Sequence, residues 1–256
     1  EKIFKFYFSF NIVIGGEKLF MSFSDIHTHI LYGVDDGAKD LKDSMELITE
    51  EWEQGVNRII MTPHYGPKFG SPDKKLLENR FAVIQEEARK YYPDMELYLG
   101  SELYYQRDTI QDLKEGKALT LAGSKYILVE FGVSDSYSKI LQAIQDFIYA
   151  GYLPIIAHVE RYEAVRQHLD RAKELVKTGA YLQINASSFL GGFLNKTTAF
   201  CNKLLKEDLV YFIASDCHDL KNRCPNIAEG LKAAQKKAAK YEYESFVDKV
   251  IEGKYI

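Results

Sequence analysis

The sequence predicts an α/β chain built on parallel strands, either a β/α barrel or a doubly wound sheet, and three observations carry that expectation. Short apolar stretches rich in Ile, Val, Leu and Tyr alternate seven times with stretches whose apolar residues recur at three and four positions. Several of the latter run into a glycine, Gly55, Gly151 or Gly179, the residue that most easily takes the left-handed turn ending a helix. The length also fits, since 256 residues with 46% hydrophobic and 27% charged suffice for one sizeable core and suit a single α/β barrel.

Taken in order, strands are expected over 23–29, 58–62, 96–100, 126–130, 153–157, 180–184 and 209–214. Helices are expected over 41–53, 74–91, 108–114, 137–150, 171–177 and 197–206, with a final helix over 227–243. Ahead of them, residues 1–20 hold an aromatic and apolar run interrupted by Lys5, Ser9 and Asn11. That run is too short to span a bilayer and has no small-residue cleavage site after it. It reads as a leader or an extra strand without a function, upstream of Met21, with a single domain over 21–256.

Charge and cysteine content narrow the function. A net charge of −4 offers no basic excess for gripping a nucleic-acid backbone. Cys201, Cys217 and Cys224 are odd in number and form neither a disulfide framework nor a paired-cysteine zinc motif, which points to a reducing cytoplasm.

The histidines carry the chemistry. In Ser24-Asp25-Ile26-His27-Thr28-His29-Ile30, read as a strand, His27 and His29 share one face and can share an ion. Of the other four histidines, three follow apolar runs: Thr62-Pro63-His64, Ile156-Ala157-His158 and Ser215-Asp216-Cys217-His218, leaving only His168 outside such a motif. Glu102 and Glu130 end strands three and four, and Glu160 and Arg161 follow His158. In a β/α barrel all these ends converge on one face. A zinc-like catalytic ion takes about three protein ligands. Five His, two Glu and one Asp, with Asp36 as a ninth candidate, therefore exceed one ion and suit two or three bridged by carboxylates. Imidazole and carboxylate without thiolate favour manganese, iron or zinc. Against this stands the plainer reading that some of these side chains cap helices or form salt bridges, Asp36 above all.

Seven motifs together resemble a known family. They are Asp25-Ile26-His27-Thr28-His29, Val34-Asp35-Asp36-Gly37, Thr62-Pro63-His64, Gly100-Ser101-Glu102, Leu128-Val129-Glu130-Phe131, Ile156-Ala157-His158-Val159-Glu160-Arg161 and Ala214-Ser215-Asp216-Cys217-His218. Their order and spacing are similar to the PHP (polymerase and histidinol phosphatase) superfamily, and within it to the bacterial metal-dependent tyrosine-protein phosphatases of capsular and exopolysaccharide synthesis. The resemblance runs from about Phe23 to the C-terminus; the segment before Met21 is not part of the pattern. It implies a distorted (β/α)7 TIM-like barrel of the PHP type, a site for three ions, and phosphotyrosine protein as substrate, with a tyrosine kinase of polysaccharide synthesis as the regulated partner. It implies as ligands His27, His29, Asp36, His64, Glu102, Glu130, His158, Asp216 and His218.

Such ions would activate water as the nucleophile and neutralise the leaving phenolate. Arg161 and Arg223 are the candidate phosphate clamps, because a guanidinium gives two parallel hydrogen bonds to two oxygens; a surface salt bridge stays open for Arg223. Asp36 stays open as a ligand or as a proton donor to the leaving oxygen. Cys217 to Arg223 also has the Cys-x5-Arg spacing of thiolate phosphatases, yet the intervening His, Asp, Leu, Lys and Asn suit no glycine-rich phosphate cradle. The alternatives are a phosphatase of a small phosphomonoester such as histidinol phosphate, a nuclease acting on a DNA end, and a non-catalytic regulatory module.

Overall fold

The computed structural model describes residues 11–14, 17–20, 23–166, 168–192, 194–237 and 243–256. Two short strands come first, β1 (Asn11–Ile14) and β2 (Glu17–Phe20), paired antiparallel as a hairpin. The expected extra strand is thus a pair; residues 1–10 lie outside the described residues.

The alternation predicted from periodicity then follows. It runs β3 (Phe23–Thr28), α1 (Leu41–Glu53), β4 (Val56–Met61), β5 (His64–Tyr65), α2 (Lys74–Tyr91), β6 (Glu96–Leu99), β7 (Glu102–Tyr104), α3 (Thr109–Lys114) and β8 (Tyr126–Glu130). It continues α4 (Tyr137–Tyr149), β9 (Leu153–Ile156), α5 (Leu169–Thr178), β10 (Tyr181–Asn185), α6 (Lys196–Lys206), β11 (Val210–Ala214), α7 (Ile227–Gln235) and α8 (Tyr243–Glu252). The helices start where a short polar side chain meets the free amides: Asp40, Asp73, Ser136 and Asn195 each accept from the first turn of α1, α2, α4 and α6. Gly55, Gly151 and Gly179 follow α1, α4 and α5 with φ of 91°, 91° and 111°, conformations that a side chain would oppose.

All strands from β3 onward pair in parallel, in two sheets ordered β3-β4-β6 and β11-β10-β9-β8-β7-β5. Two staves of the barrel are therefore broken. Thr62-Pro63 separates β4 from β5, where proline removes a ladder donor, and Gly100-Ser101 separates β6 from β7. Backbone bonds Gly100 N to Met61 O (2.8 Å) and Glu102 N to Pro63 O (3.1 Å) hold the broken staves side by side. At the other seam Thr28 bridges Cys217 in parallel, with Asp216 N donating to His27 O and His29 N to Cys217 O, each 2.9 Å. These bonds join the seventh stave to the first. The architecture is the distorted (β/α)7 arrangement that the family resemblance implies.

One expectation fails: the helix predicted over 227–243 ends at Gln235, and a separate helix begins at Tyr243. The reason is tertiary. Helix α8 buries Tyr243, Val247 and Val250 beneath the barrel, the latter two together worth about 3–6 kcal/mol of apolar burial. Its Glu244 accepts from Ser24 N (3.0 Å) and Ser24 Oγ (2.6 Å) at the start of β3. Among the described residues no helix is long and apolar enough to cross a membrane.

Candidate metal centre

The carboxyl ends of the staves meet in one buried polar cluster. Alternation on β3 and its continuation puts His27 and His29 on one face, with Nε2 atoms 3.3 Å apart. The breaks in staves two and three set His64 directly against Glu102 in register, with His64 Nδ1 2.9 Å from Glu102 Oε2. That oxygen is also 3.2 Å from Nε2 of both His27 and His29, and Asp216 Oδ1 lies 3.5 and 3.4 Å from the same two nitrogens. Three overlapping groups have spacings that could hold an ion: His27, His29, Glu102 and Asp216; His29, Asp36, His64 and His218; and His64, Glu102 and Glu130. His158 joins through Nε2, 2.8 Å from Glu102 and 3.9 Å from Glu130. All nine expected residues thus come together from all over the chain. His168 stands apart at the exposed start of α5.

Two of these residues are held in strained backbone. His158 has φ 32° and Asp216 φ 55°, left-handed conformations that cost a non-glycine residue roughly 1 kcal/mol or more and persist where surroundings enforce them. Gly37 is enforced from the other side. A Cβ there would lie 2.1 Å from His29 O, so only glycine lets the 34–37 loop fold back to bring Asp35 and Asp36 to the histidines.

The remaining histidine nitrogens are fixed by neighbours that the sequence reading did not single out. Asp35 Oδ2 accepts from His29 Nδ1 at 2.7 Å. Gln183 Oε1 lies 3.1 Å from His27 Nδ1 and accepts from His158 N at 2.8 Å. Gln183 Nε2 donates to Asn185 Oδ1, and Asn185 Nδ2 donates to Asp216 Oδ2. A backbone amide can only donate and an ionised carboxylate can only accept, so both amide side chains have one orientation. Gln183 therefore demands a proton on His27 Nδ1 and leaves Nε2 to face the cluster, the outer-shell pattern of metal-bound histidines. His218 Nδ1 is likewise spent on Asp216 O at 2.9 Å. Gln183 and Asn185 lie on one face of β10, two apart, and that polar alternation at the end of stave six was the available signal.

The electrostatics ask for cations. Burial would raise the Glu102 carboxyl, but His27 and His64 hold it well below the usual carboxylate range. Burial likewise opposes Asp216, which His27, His29 and Arg161 keep well below its ordinary value. Burial would lower His29, yet Asp35, Asp216 and Glu102 raise it well above its ordinary value, and Glu102 and Asp216 raise His27. Partial burial, then the neighbouring Glu102, push the Glu130 carboxyl up to about 8. Even so, His64 Nδ1, Glu102 Oε2, Glu130 Oε2 and His218 Nε2 are buried without a well-formed hydrogen bond, although such atoms are ordinarily satisfied. Within each of the three groups the candidate ligand atoms lie within 4.8 Å of one another, the spacing a divalent ion requires, so the residues present fit one.

At the mouth, Arg161 Nη2 lies 2.8 Å from Asp216 and Arg223 Nη2 2.7 Å from Asp36. Each arginine side chain stays about 40% exposed, at 41% and 39%, so each keeps donors for a ligand. The His218 imidazole, its Nε2 3.3 Å from Oδ1, and then the Arg223 guanidinium hold the half-exposed Asp36 carboxyl well below its usual range. Cys217 is buried and faces inward, Sγ 3.7 Å from Glu51 Oε1. Burial, then Glu51 and Asp25, push its thiol well up, the reverse of what a nucleophilic thiolate needs.

A family model for capsular polysaccharide synthesis proteins of the CpsB/CapC type matches residues 23–250. Tyrosine-protein phosphatase CpsB of Streptococcus agalactiae is 38% identical over 214 residues, 81% of this chain and 88% of that protein. CpsB of Streptococcus pneumoniae is 36% identical over 234 residues, 88% and 95%; YwqE of Bacillus subtilis is 34% identical over 219 residues, 83% and 84%. A crystal structure from work on YwqE of B. subtilis and CpsB of S. pneumoniae, called metal-dependent tyrosine phosphatases there, superposes with a TM-score of 0.84 at 30% identity, covering 92% of this chain and 96% of that one.

Proposed function

The chain belongs to the CpsB/CapC family of capsular polysaccharide synthesis, and on that premise we propose that it is a metal-dependent phosphatase of tyrosine-phosphorylated proteins. Two or three divalent transition-metal ions would be held by His27, His29, Asp36, His64, Glu102, Glu130, His158, Asp216 and His218. The convergence of unpartnered buried nitrogen and oxygen atoms at the strand ends supports this most directly. Imidazole and carboxylate without thiolate favours manganese, with iron or zinc as the other candidates. Bound there, such ions supply Lewis acidity toward a phosphoryl group and toward water near neutral pH.

The chain's own residues do the rest. Arg161 and Arg223 flank the cluster and present guanidinium donors to the non-bridging phosphoryl oxygens. Gln183 and Asp35 hold the His27 and His29 rings so that Nε2 faces inward. Asp36 is assigned as a ligand, because its Oδ1 lies 3.4 and 3.3 Å from Nε2 of His64 and His218 and joins them and His29 in one candidate ion group. The buried Cys217 takes no covalent part. The capsular family name supports a tyrosine kinase of polysaccharide synthesis as the source of substrate. Three free cysteines support a cytoplasmic setting, and a net charge of −4 argues against nucleic acid.

Metal analysis of protein never exposed to chelator, beside hydrolysis of a phosphotyrosine peptide and of histidinol phosphate with and without manganese, tests this. Two or three ions per chain and manganese-dependent turnover favouring the peptide are expected. Full activity with one ion or none would sink the multinuclear site, and preference for histidinol phosphate would move the substrate to small phosphomonoesters.

A further inference from the structure

One side of the mouth is aromatic for no reason of core packing. The ring of Phe69 lies flat on the His64 imidazole, centroids 3.6 Å apart and planes within 8°. Tyr104 meets Phe69 edge-on at 6.1 Å and 69°. Lys68 carries its ammonium over both rings, 4.7 and 5.3 Å from their centres. Both rings are half-buried, yet neither is among the residues packed against the hydrophobic core. Their placement follows from the backbone. Tyr104 is two residues beyond Glu102 on β7, hence on the same face, and it pairs in register with Glu130. Phe69 ends the single helical turn Pro67–Phe69, which lies against Tyr104 because Gly66 has no side chain: a Cβ there would come to 3.1 Å from that of Tyr104.

We propose that Phe69 and Tyr104 form the wall that receives the aromatic ring of the substrate and makes the site select aryl over alkyl phosphate esters. The proposal rests on the phosphatase reading above. A phosphoryl group seated at His64, Glu102 and Glu130 has its ester oxygen at the foot of this wall, and a phenyl ring on that oxygen extends along it. With one face of Phe69 against His64, the opposite face and the edge of Tyr104 remain for offset or edge-on contact, the arrangements aromatic pairs prefer. Lys68 has the long flexible stem needed to yield the ring face while its charge stays beside the phosphate. The chain of a serine or small alkyl phosphate offers no ring to lie on this wall.

Phe69→Leu tests this, because leucine keeps an apolar cover on His64 and removes only the ring. Turnover of phenyl phosphate and ethyl phosphate is compared in the manganese-loaded enzyme, with metal content measured alongside. The ratio of kcat/KM for the two esters should fall about five- to tenfold in Phe69→Leu, mainly through KM for the aryl ester, with metal content held, and Phe69→Tyr should restore it. An unchanged ratio overturns the proposal. Calorimetric binding of phenylphosphonate against methylphosphonate gives a second decision free of turnover. Wild-type preference for the phenyl compound, lost in Phe69→Leu, supports the wall; equal affinities in wild type overturn it. Wild-type protein that hydrolyses neither ester overturns the phosphatase reading alone, and the binding comparison still decides the wall.

Discussion

The two ends of the first barrel strand are built on opposite terms. At its start, Ser24 is tied by Glu244, which also takes Arg58 Nη2 at 2.7 Å, while Arg58 pairs with Asp248 and Tyr243 Oη donates to Ser24 O at 2.7 Å. There each charged group named has a partner of the opposite sign. At its finish, His27 and His29 enter a cluster where carboxylates and imidazoles crowd together and four buried atoms lack a hydrogen bond. The lower end closes the fold, and the upper end forgoes polar satisfaction for binding, the division usual between the faces of a β/α barrel. At the upper end two of the clustered residues, His158 and Asp216, are also held in left-handed conformations.

Substitutions at the two ends should therefore fail in different ways. Asp216→Ala at the upper end is expected to lower kcat by about a thousandfold or more, as loss of a metal ligand does, with far-ultraviolet dichroism and Tm preserved because the barrel supports the pocket independently. His158→Ala should behave alike. A folded Asp216→Ala enzyme with normal turnover would remove it from the site. One step further out, Gln183→Leu frees the His27 ring, and metal affinity is expected to drop by roughly 10- to 100-fold, read by competition with a chelator. Unchanged affinity would mean that the His27 orientation needs no such support.

At the lower end, Glu244→Ala leaves the buried Ser24 amide without its acceptor, at a cost of about 1–3 kcal/mol. Lower Tm with metal content and kcat intact is the expected signature; loss of metal would erase the contrast between the ends. A subtler test concerns Glu51, which lies behind the cluster. Burial, then Asp25, raise its carboxyl well above the ordinary value of 4.5. The folded chain thus binds a proton more tightly there than the unfolded chain. Its contribution is fully present below the unfolded value and fades as pH rises toward the folded one, with each tenfold difference in proton affinity worth ~1.4 kcal/mol. Glu51→Gln should remove that decline, so that the Tm advantage of the variant grows as pH rises above the unfolded value of 4.5. A constant difference above that value would sink this account. The smallest effect is expected at Cys217→Ser, which should keep most activity because the Cys217 side chain contacts Glu51 behind the cluster and a serine hydroxyl can make the same contact. An inactive but folded and metal-loaded variant would reopen the thiolate mechanism.

The sequence by itself determined the strand and helix alternation, the glycine stops and the eight candidate polar residues at the strand ends, because periods of two and 3.6 and the conformational freedom of glycine are local properties. Tertiary structure alone decided the rest. The breaks at Thr62-Pro63 and Gly100-Ser101 matter because they turn His64 and Glu102 side by side, a consequence of pairing between staves 38 residues apart. The helix expected over 227–243 divides because a second segment docks on Ser24, more than 200 residues away in sequence. Gln183 and Asn185 join the site through bonds to residues 156 and 31 positions away, and Phe69 and Tyr104 through stacking on a histidine and on each other. Hydrogen-bond direction and ring contact depend on which distant groups meet, and no local periodicity encodes that.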